Sequence, residues 1–194
     1  MPATDPGLLD RLRRRDPDTL RAVADQHARP LYRAARAMGF SPDIADELVQ
    51  DVFVTFMATL DRFEGRSQVR TWLFGILHHK AFERRRDLAK DARHDPIDDA
   101  FEAQFDGRGA WRSVTHAPDR LAASAELAMA IGQCLDGLAG LQRQAFVLRE
   151  AQELGTDEVC KILGCTVTHL GVLLYRARAR LRACLDSKGW GSAS

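Results

Sequence analysis

The sequence predicts an all-α protein of two small helical domains joined by an irregular linker, and three observations carry that prediction. Apolar residues recur at helical spacing through residues 8–86. The periodicity then fades between residues 87 and 120, where charges, glycines and prolines gather. Beyond it a short helix, a glycine turn and a longer helix follow one another within residues 121–186. The expected domains are therefore 8–86 and 121–186, with 87–120 as the linker.

Residues 8–15 and 18–39 show helical patterns separated by a break at Asp16-Pro17. Leu20, Val23, Ala24, His27, Leu31, Ala34, Ala35 and Met38 form one stripe, and Gly39 suits a helix C-cap. His27 lies on that stripe and reads as a packing histidine. Ser41-Pro42 then supplies an N-cap followed by a proline at the first helical position, with Asp43 and Asp46 where the helix dipole favours negative charge. Leu48, Val49, Val52, Phe53, Phe56, Met57 and Leu60 form the buried stripe of this helix.

The chain changes sign after it. Residues 43–64 hold six acidic side chains against Arg62, and residues 66–86 hold six basic ones against Glu83. Gly65 suits a tight loop between the two halves, and helical spacing resumes at Leu73, Ile76, Leu77 and Ala81. Basic residues at 80 and 84–86 also suit a helix C-terminus, so charge on a solvated helical hairpin accounts for part of this pattern. The sharper reading places nucleic acid on the basic helix and its loop, and a basic protein partner on the acidic helix.

The linker carries eight acidic and five basic residues, with Phe101, Phe105 and Trp111 scattered through it. Such aromatics suggest a linker that docks on its own domains or on a partner. In the second domain, residues 121–135 form an amphipathic helix and residues 138–148 begin another. Residues 156–175 fit a helix-turn-helix: Val159, Leu163, Val167, Leu170 and Leu173 at apolar positions, Gly164 in the turn, and the small Cys160 where the helices approach closely. Arginines at 176, 178, 180 and 182 follow, pointing in several directions around the helix.

Net charge is only +1, so affinity for nucleic acid must come from local clustering. No apolar run approaches the ~20 residues needed to span a bilayer, and the N-terminus lacks signal-peptide character, so the expectation is a cytoplasmic protein without membrane insertion. Cys134, Cys160, Cys165 and Cys184 show neither a CxxC pair nor zinc-finger spacing. In such a compartment reduced, buried thiols are expected, although three cysteines within 25 residues leave a thiol switch open. No phosphate loop, metal-ligand spacing or clustered acid and base points to an enzyme, a cofactor or a small-molecule substrate. His78 and His79 diverge by about 100° on a helix and do not converge on one metal.

Two blocks carry a resemblance. Asp46-Glu-Leu-Val-Gln-Asp-Val-Phe53, Leu60-Asp-Arg-Phe-Glu-Gly-Arg66 and Thr71-Trp-Leu-Phe74 resemble region 2 of bacterial sigma factors of the extracytoplasmic-function type, in the sigma-70 family. Gly164-Cys-Thr-Val167 and Arg176-Ala-Arg178, within the helix-turn-helix, resemble region 4. The resemblance implies a factor that docks on core RNA polymerase, recognises and melts the −10 element of promoter DNA, binds the −35 element, and is held in check by an anti-sigma factor. It implies polymerase contacts at Asp46, Glu47, Gln50 and Asp51. For the −10 element it implies Phe63, Arg66, Ser67, Gln68, Arg70 and Trp72, with Phe63 or Trp72 stacking on an extruded base and Lys80, Arg84 and Arg85 on phosphates. Gly171-Val172-Leu173 stands where the family commonly has polar or basic residues, which leaves Thr166, Thr168, His169, Tyr175, Arg176 and Arg178 for the −35 element. The alternative from another class is a helix-turn-helix regulator that binds an operator without core polymerase; residues 46–86 have no use in such a protein.

Overall fold

The computed structural model describes residues 4–91 and 125–190 of the 194-residue chain. The expected linker and its aromatics, and the first residues of the expected helix from 121, lie largely outside the described residues. Eight α-helices are present among the described residues: α1 (Pro6–Arg13), α2 (Pro17–Ala37), α3 (Pro42–Thr59), α4 (Val69–Asp91), α5 (Ala125–Asp136), α6 (Gly140–Phe146), α7 (Thr156–Leu163) and α8 (Val167–Ser187).

The helix boundaries follow local chemistry. Asp5, Asp16 and Ser41 cap α1, α2 and α3 through side-chain oxygens that accept the backbone N–H of Leu8, Thr19 and Ile44, and each cap precedes a proline that fits the first helical position. A 3₁₀ turn at Leu60–Arg62 ends α3 and opens the loop to α4. In the second half α6 runs on into a π turn at Val147–Ala151.

The stripes read from the sequence are the faces that pack. Leu48, Val52, Phe56 and Leu60 meet Leu31, Ala34, Ala35 and Met38 of the α2 segment and Leu73, Leu77 and Ala81 of α4 in one core. His27 is buried within it, as its place on the stripe predicts. The same cluster includes Ala145, Val147, Leu148, Leu154, Val159 and Ile162, so the two halves share a core instead of standing apart. A smaller cluster joins Cys134, Leu135 and Leu138 to Ala177 and Leu181, between α5 and α8.

Polar contacts seal the junction. Arg143 of α6 is 7% exposed; it donates to the Ala37 carbonyl at the end of α2 and pairs with Asp136 at 2.7 Å. Gly39 makes room for it: a Cβ there would stand 2.6 Å from a guanidinium nitrogen. Arg70 of α4 donates to the Gln152 carbonyl, and the Thr71 hydroxyl donates to Glu158 of α7. The buried side chains of His78 of α4 and Gln144 of α6 also lie at this junction.

Two expectations need correction. Cys134 and Cys184 are not free thiols but form a disulfide, their Cα atoms 5.7 Å apart. Their 50-residue separation concealed a pair that the packing of α5 on α8 brings together. Val167, expected to pack the helix-turn-helix, is 58% exposed, because it opens α8 before the turn that faces α7; Ile162 is buried in the shared core alongside Val159, Leu170 and Leu173. Cys160 and Cys165 remain thiols, half-buried and in contact across the turn. Among the described residues no single helix is long and apolar enough to cross a membrane.

Two outcomes are expected. Replacing Cys134 and Cys184 with serine, or adding a reductant, lowers stability by up to about 4 kcal/mol, the chain-entropy limit for a loop of this size; thermal melts with and without dithiothreitol measure it. The second concerns acid. Burial holds both His27 and His78 below their ordinary value of 6.5, with Arg70 adding to the effect at His27 and His79 at His78. The folded state therefore prefers the neutral imidazoles, and the unfolded chain takes up protons first as pH falls. Stability is full above about pH 6.5 and declines as pH drops toward the lowered folded values. Melting temperatures across pH 7.5–5 fall less steeply in a His27→Gln, His78→Gln variant.

Candidate functional site

Three exposed faces hold most of the residues singled out in the sequence. The first is the outer side of α3. Burying Ala45, Leu48, Val52 and Phe56 turns Asp46, Glu47, Gln50 and Asp51 to solvent together. A shallow groove runs beside them, lined by Glu47, Asp51, Lys80, Glu83, Arg84 and Asp87 of α3 and α4. Arg84 pairs with Glu47 across it, and Lys80 meets Glu83 at 3.4 Å. Lys80 and Arg84 thus stand with the acidic residues of α3.

The second face is the loop between α3 and α4. Phe63 is buried and packs against Trp72 with ring centroids 5.3 Å apart and planes tilted by 57°. Trp72 is half-buried, and its indole N–H lies inside without a hydrogen-bond acceptor. A cavity of about 100 Å³ opens there between Arg62, Phe63, Glu64, Arg66, Ser67 and Trp72. Exposure alternates along the loop: Glu64, Arg66 and Gln68 face solvent, whereas Phe63 and Gly65 are buried and Ser67 is half-buried. Gly65 adopts a φ of +71°, a left-handed conformation that glycine takes without strain. Arg66 lies 2.8 Å from Glu64.

Two residues grouped with this loop in the sequence are drawn elsewhere. Arg70 spends its guanidinium on the Gln152 carbonyl while stacking 5.7 Å from the Phe74 ring. Arg85 donates to the Met38 carbonyl and lies 5.4 Å from the Phe40 ring. Burial, and then the neighbouring Arg143 charge, lower its pKa below the ordinary arginine range. The structure therefore brings Phe63, Arg66, Ser67, Gln68 and Trp72 together and separates Lys80, Arg84 and Arg85 from them.

The third face is the start of α8. Gly164 takes a φ of +64° and ends α7, with the Cys165 N–H returning 3.0 Å to the Cys160 carbonyl. The chain turns by 95° between α7 and α8, as a helix-turn-helix requires. Thr166 caps α8 by accepting the His169 N–H at 3.2 Å, and Thr166, Thr168 and His169 are all exposed. Tyr175 lies exposed two turns after Thr168, with Gly171 and Val172 between them on the same side. Arg176 and Arg178 are half-buried, and Arg178 pairs with Glu150. Sequence reasoning missed Arg143 and the contacts of residues 4–15 with the loop; an arginine followed by apolar spacing carries no mark of a long-range acceptor.

Known proteins match both halves of the chain. The family model for sigma-70 region 2 matches residues 23–91, and that for sigma-70 region 4 matches residues 128–181. A probable RNA polymerase sigma factor of Haemophilus influenzae is 31% identical over 154 residues, 75% of this chain and 79% of that protein. The ECF RNA polymerase sigma-E factor of Escherichia coli K12 is 28% identical over 178 residues, 90% of this chain and 91% of that one. Among solved structures, CnrH in complex with the cytosolic domain of CnrY aligns at a TM-score of 0.66 and 27% identity, covering 93% of this chain and 96% of CnrH. The sigma factor RpoE of Bartonella quintana, in complex with the anti-sigma factor NepR, shares the fold at a TM-score of 0.64 and 23% identity, covering 86% of this chain and 96% of that one. With both conserved regions matched in order and a relative aligned over most of its length, the chain belongs to the sigma-70 family, as an RNA polymerase sigma factor of the extracytoplasmic-function type.

Proposed function

We propose a division of labour among the three faces of this sigma factor, which directs core RNA polymerase to its promoters. Residues 8–86 act as region 2 and residues 121–186 as region 4. The acidic face of α3, with Asp46, Glu47, Gln50 and Asp51, docks on a basic surface of core polymerase. The observation that carries this reading is that these four side chains share one exposed face, clear of the shared core.

The loop face reads the −10 element. Its cavity, bounded by Trp72 and floored by the buried Phe63 ring, suits a base taken out of the stack, and Arg66, Ser67 and Gln68 stand at its rim or beside it. Thr166, Thr168 and His169 present the N-terminus of α8 to the major groove at the −35 element, with Tyr175 further along. Arg70 and Arg85 reach DNA only after giving up their carbonyl partners in the protein. The packed arrangement is accordingly that of a chain not yet on DNA. An anti-sigma partner of the kind bound to RpoE would hold such a state. The protein works by binding and not by bond chemistry, and it works in the cytoplasm with the polymerase. An operator-binding regulator without polymerase leaves the region 2 match without a role.

Two experiments test these assignments. Asp51→Arg weakens association with core RNA polymerase by about thirtyfold or more, the scale of a like-charge clash at a complementary interface, read by co-elution or by titration. Wild-type binding by this variant would remove α3 from the docking surface. At Gly171 a Cβ meets nothing within 4 Å, so Gly171→Arg adds a cation between Thr168 and Tyr175. Affinity of the holoenzyme for duplex promoter DNA then rises, and the slope of log K against log salt steepens by about one. An unchanged slope would place DNA elsewhere on α8.

A further inference from the structure

Residues 4–15 precede the segment that the region 2 family model matches, yet they hold the reading loop from beneath. Thr4 is 8% exposed. Its backbone N–H donates to the Gly65 carbonyl at 2.9 Å and its hydroxyl to the Ser67 carbonyl at 2.6 Å. Arg13 donates to the Phe63 carbonyl at 3.2 Å, and Arg15 lies 3.7 Å from Asp61 at the loop's entry. Leu9 packs so closely on Gly65 that a Cβ there would come within 2.8 Å of its methyl group. Leu12, fully buried in the core, anchors α1 beneath these contacts.

The pattern is regular. The carbonyls of residues 63, 65 and 67 all accept from the N-terminal segment, and the intervening side chains, with Gln68 after them, are the exposed ones. Tying alternate carbonyls to one side fixes which side chains face the other. We propose that this N-terminal strap is a specificity-positioning element, in which Thr4 and Arg13 hold the loop so that Arg66 and Gln68 meet the −10 element in a single register. The inference rests on the loop being the −10 reader. Neither Thr4 nor Arg13 touches DNA; both act through the backbone of the loop.

Preorganisation of this kind alters discrimination more than overall binding, because a slack loop still meets phosphate but fits several bases. The test uses the full chain with core RNA polymerase on a duplex pool randomised across the −10 and −35 elements, sequencing the DNA retained in heparin-resistant complexes. Thr4→Val removes one hydrogen bond at constant shape, and Arg13→Gln removes another; each is examined alone, with melting temperature and core affinity as controls. Each lowers base preference at the −10 positions by about fivefold, the lower end of what one correct base contact supplies, while −35 preference and core affinity hold and Thr4→Ser behaves as wild type. Unchanged −10 preference in both strap variants, with altered preference in Arg66→Ala or Gln68→Ala, would overturn the strap alone. If Arg66→Ala and Gln68→Ala also left −10 preference intact, the loop itself would not be the reader, and the inference would fall with it.

Discussion

A buried arginine organises the junction on which the rest of the structure depends. Arg143 crosses from the second half of the chain to the end of α2, where helix carbonyls lack internal partners. Three arginines converge there: Arg143 on Ala37, Arg85 on Met38 and Arg36 on Phe40. The partial negative charge of a helix C-terminus favours such cations. Burying two guanidinium groups side by side is costly all the same, and it shows in the lowered pKa of Arg85. Asp136 offsets part of that cost at 2.7 Å, although its own side chain is 66% exposed. The junction is therefore held by polar contacts that another partner's acceptors can replace, over an apolar core contributed by both halves.

This balance decides which functional faces are open. The acidic side of α3, the outward residues of the loop and the first turn of α8 all point away from the junction. The start of α4 does not, since Arg70 and Thr71 bond to residues 152 and 158. On the proposed assignment, both the loop face and the start of α8 meet promoter elements. In the packed state the start of α8 and the outward residues of the loop are exposed, while Arg70 and Thr71 at the start of α4 are engaged by the second half. On the proposed assignment, engagement of Arg70 with DNA requires it to leave the Gln152 carbonyl, and so requires the two halves to part at this junction.

The disulfide extends the same logic through a covalent bond. Cys134 lies two residues before Asp136 on α5, and Cys184 lies near the end of α8. Fixing α5 to α8 also restrains the carboxylate that balances Arg143. The other thiol pair has a different origin. The turn after α7 returns the Cys165 N–H to the Cys160 carbonyl, which sets the two side chains against each other as helix C-terminal turns commonly do.

Helix positions, caps and buried stripes were legible in the sequence because each depends on residues three or four apart. Ser41-Pro42 fixed the start of α3, Gly164 the turn of the helix-turn-helix, and the Leu48 to Leu60 stripe the face that packs. The exposed acidic face followed, being the complement of that stripe. Contacts across long separations were not legible. Arg143 with Ala37, Cys134 with Cys184 and Thr4 with Ser67 are joined only by tertiary packing, and each of these residues has an ordinary local setting. The sequence by itself determined which segments are helical and which family they serve. Only the tertiary structure decided which arginines are spent on backbone carbonyls and which stand exposed, because a guanidinium's partner is set by the chain folded around it.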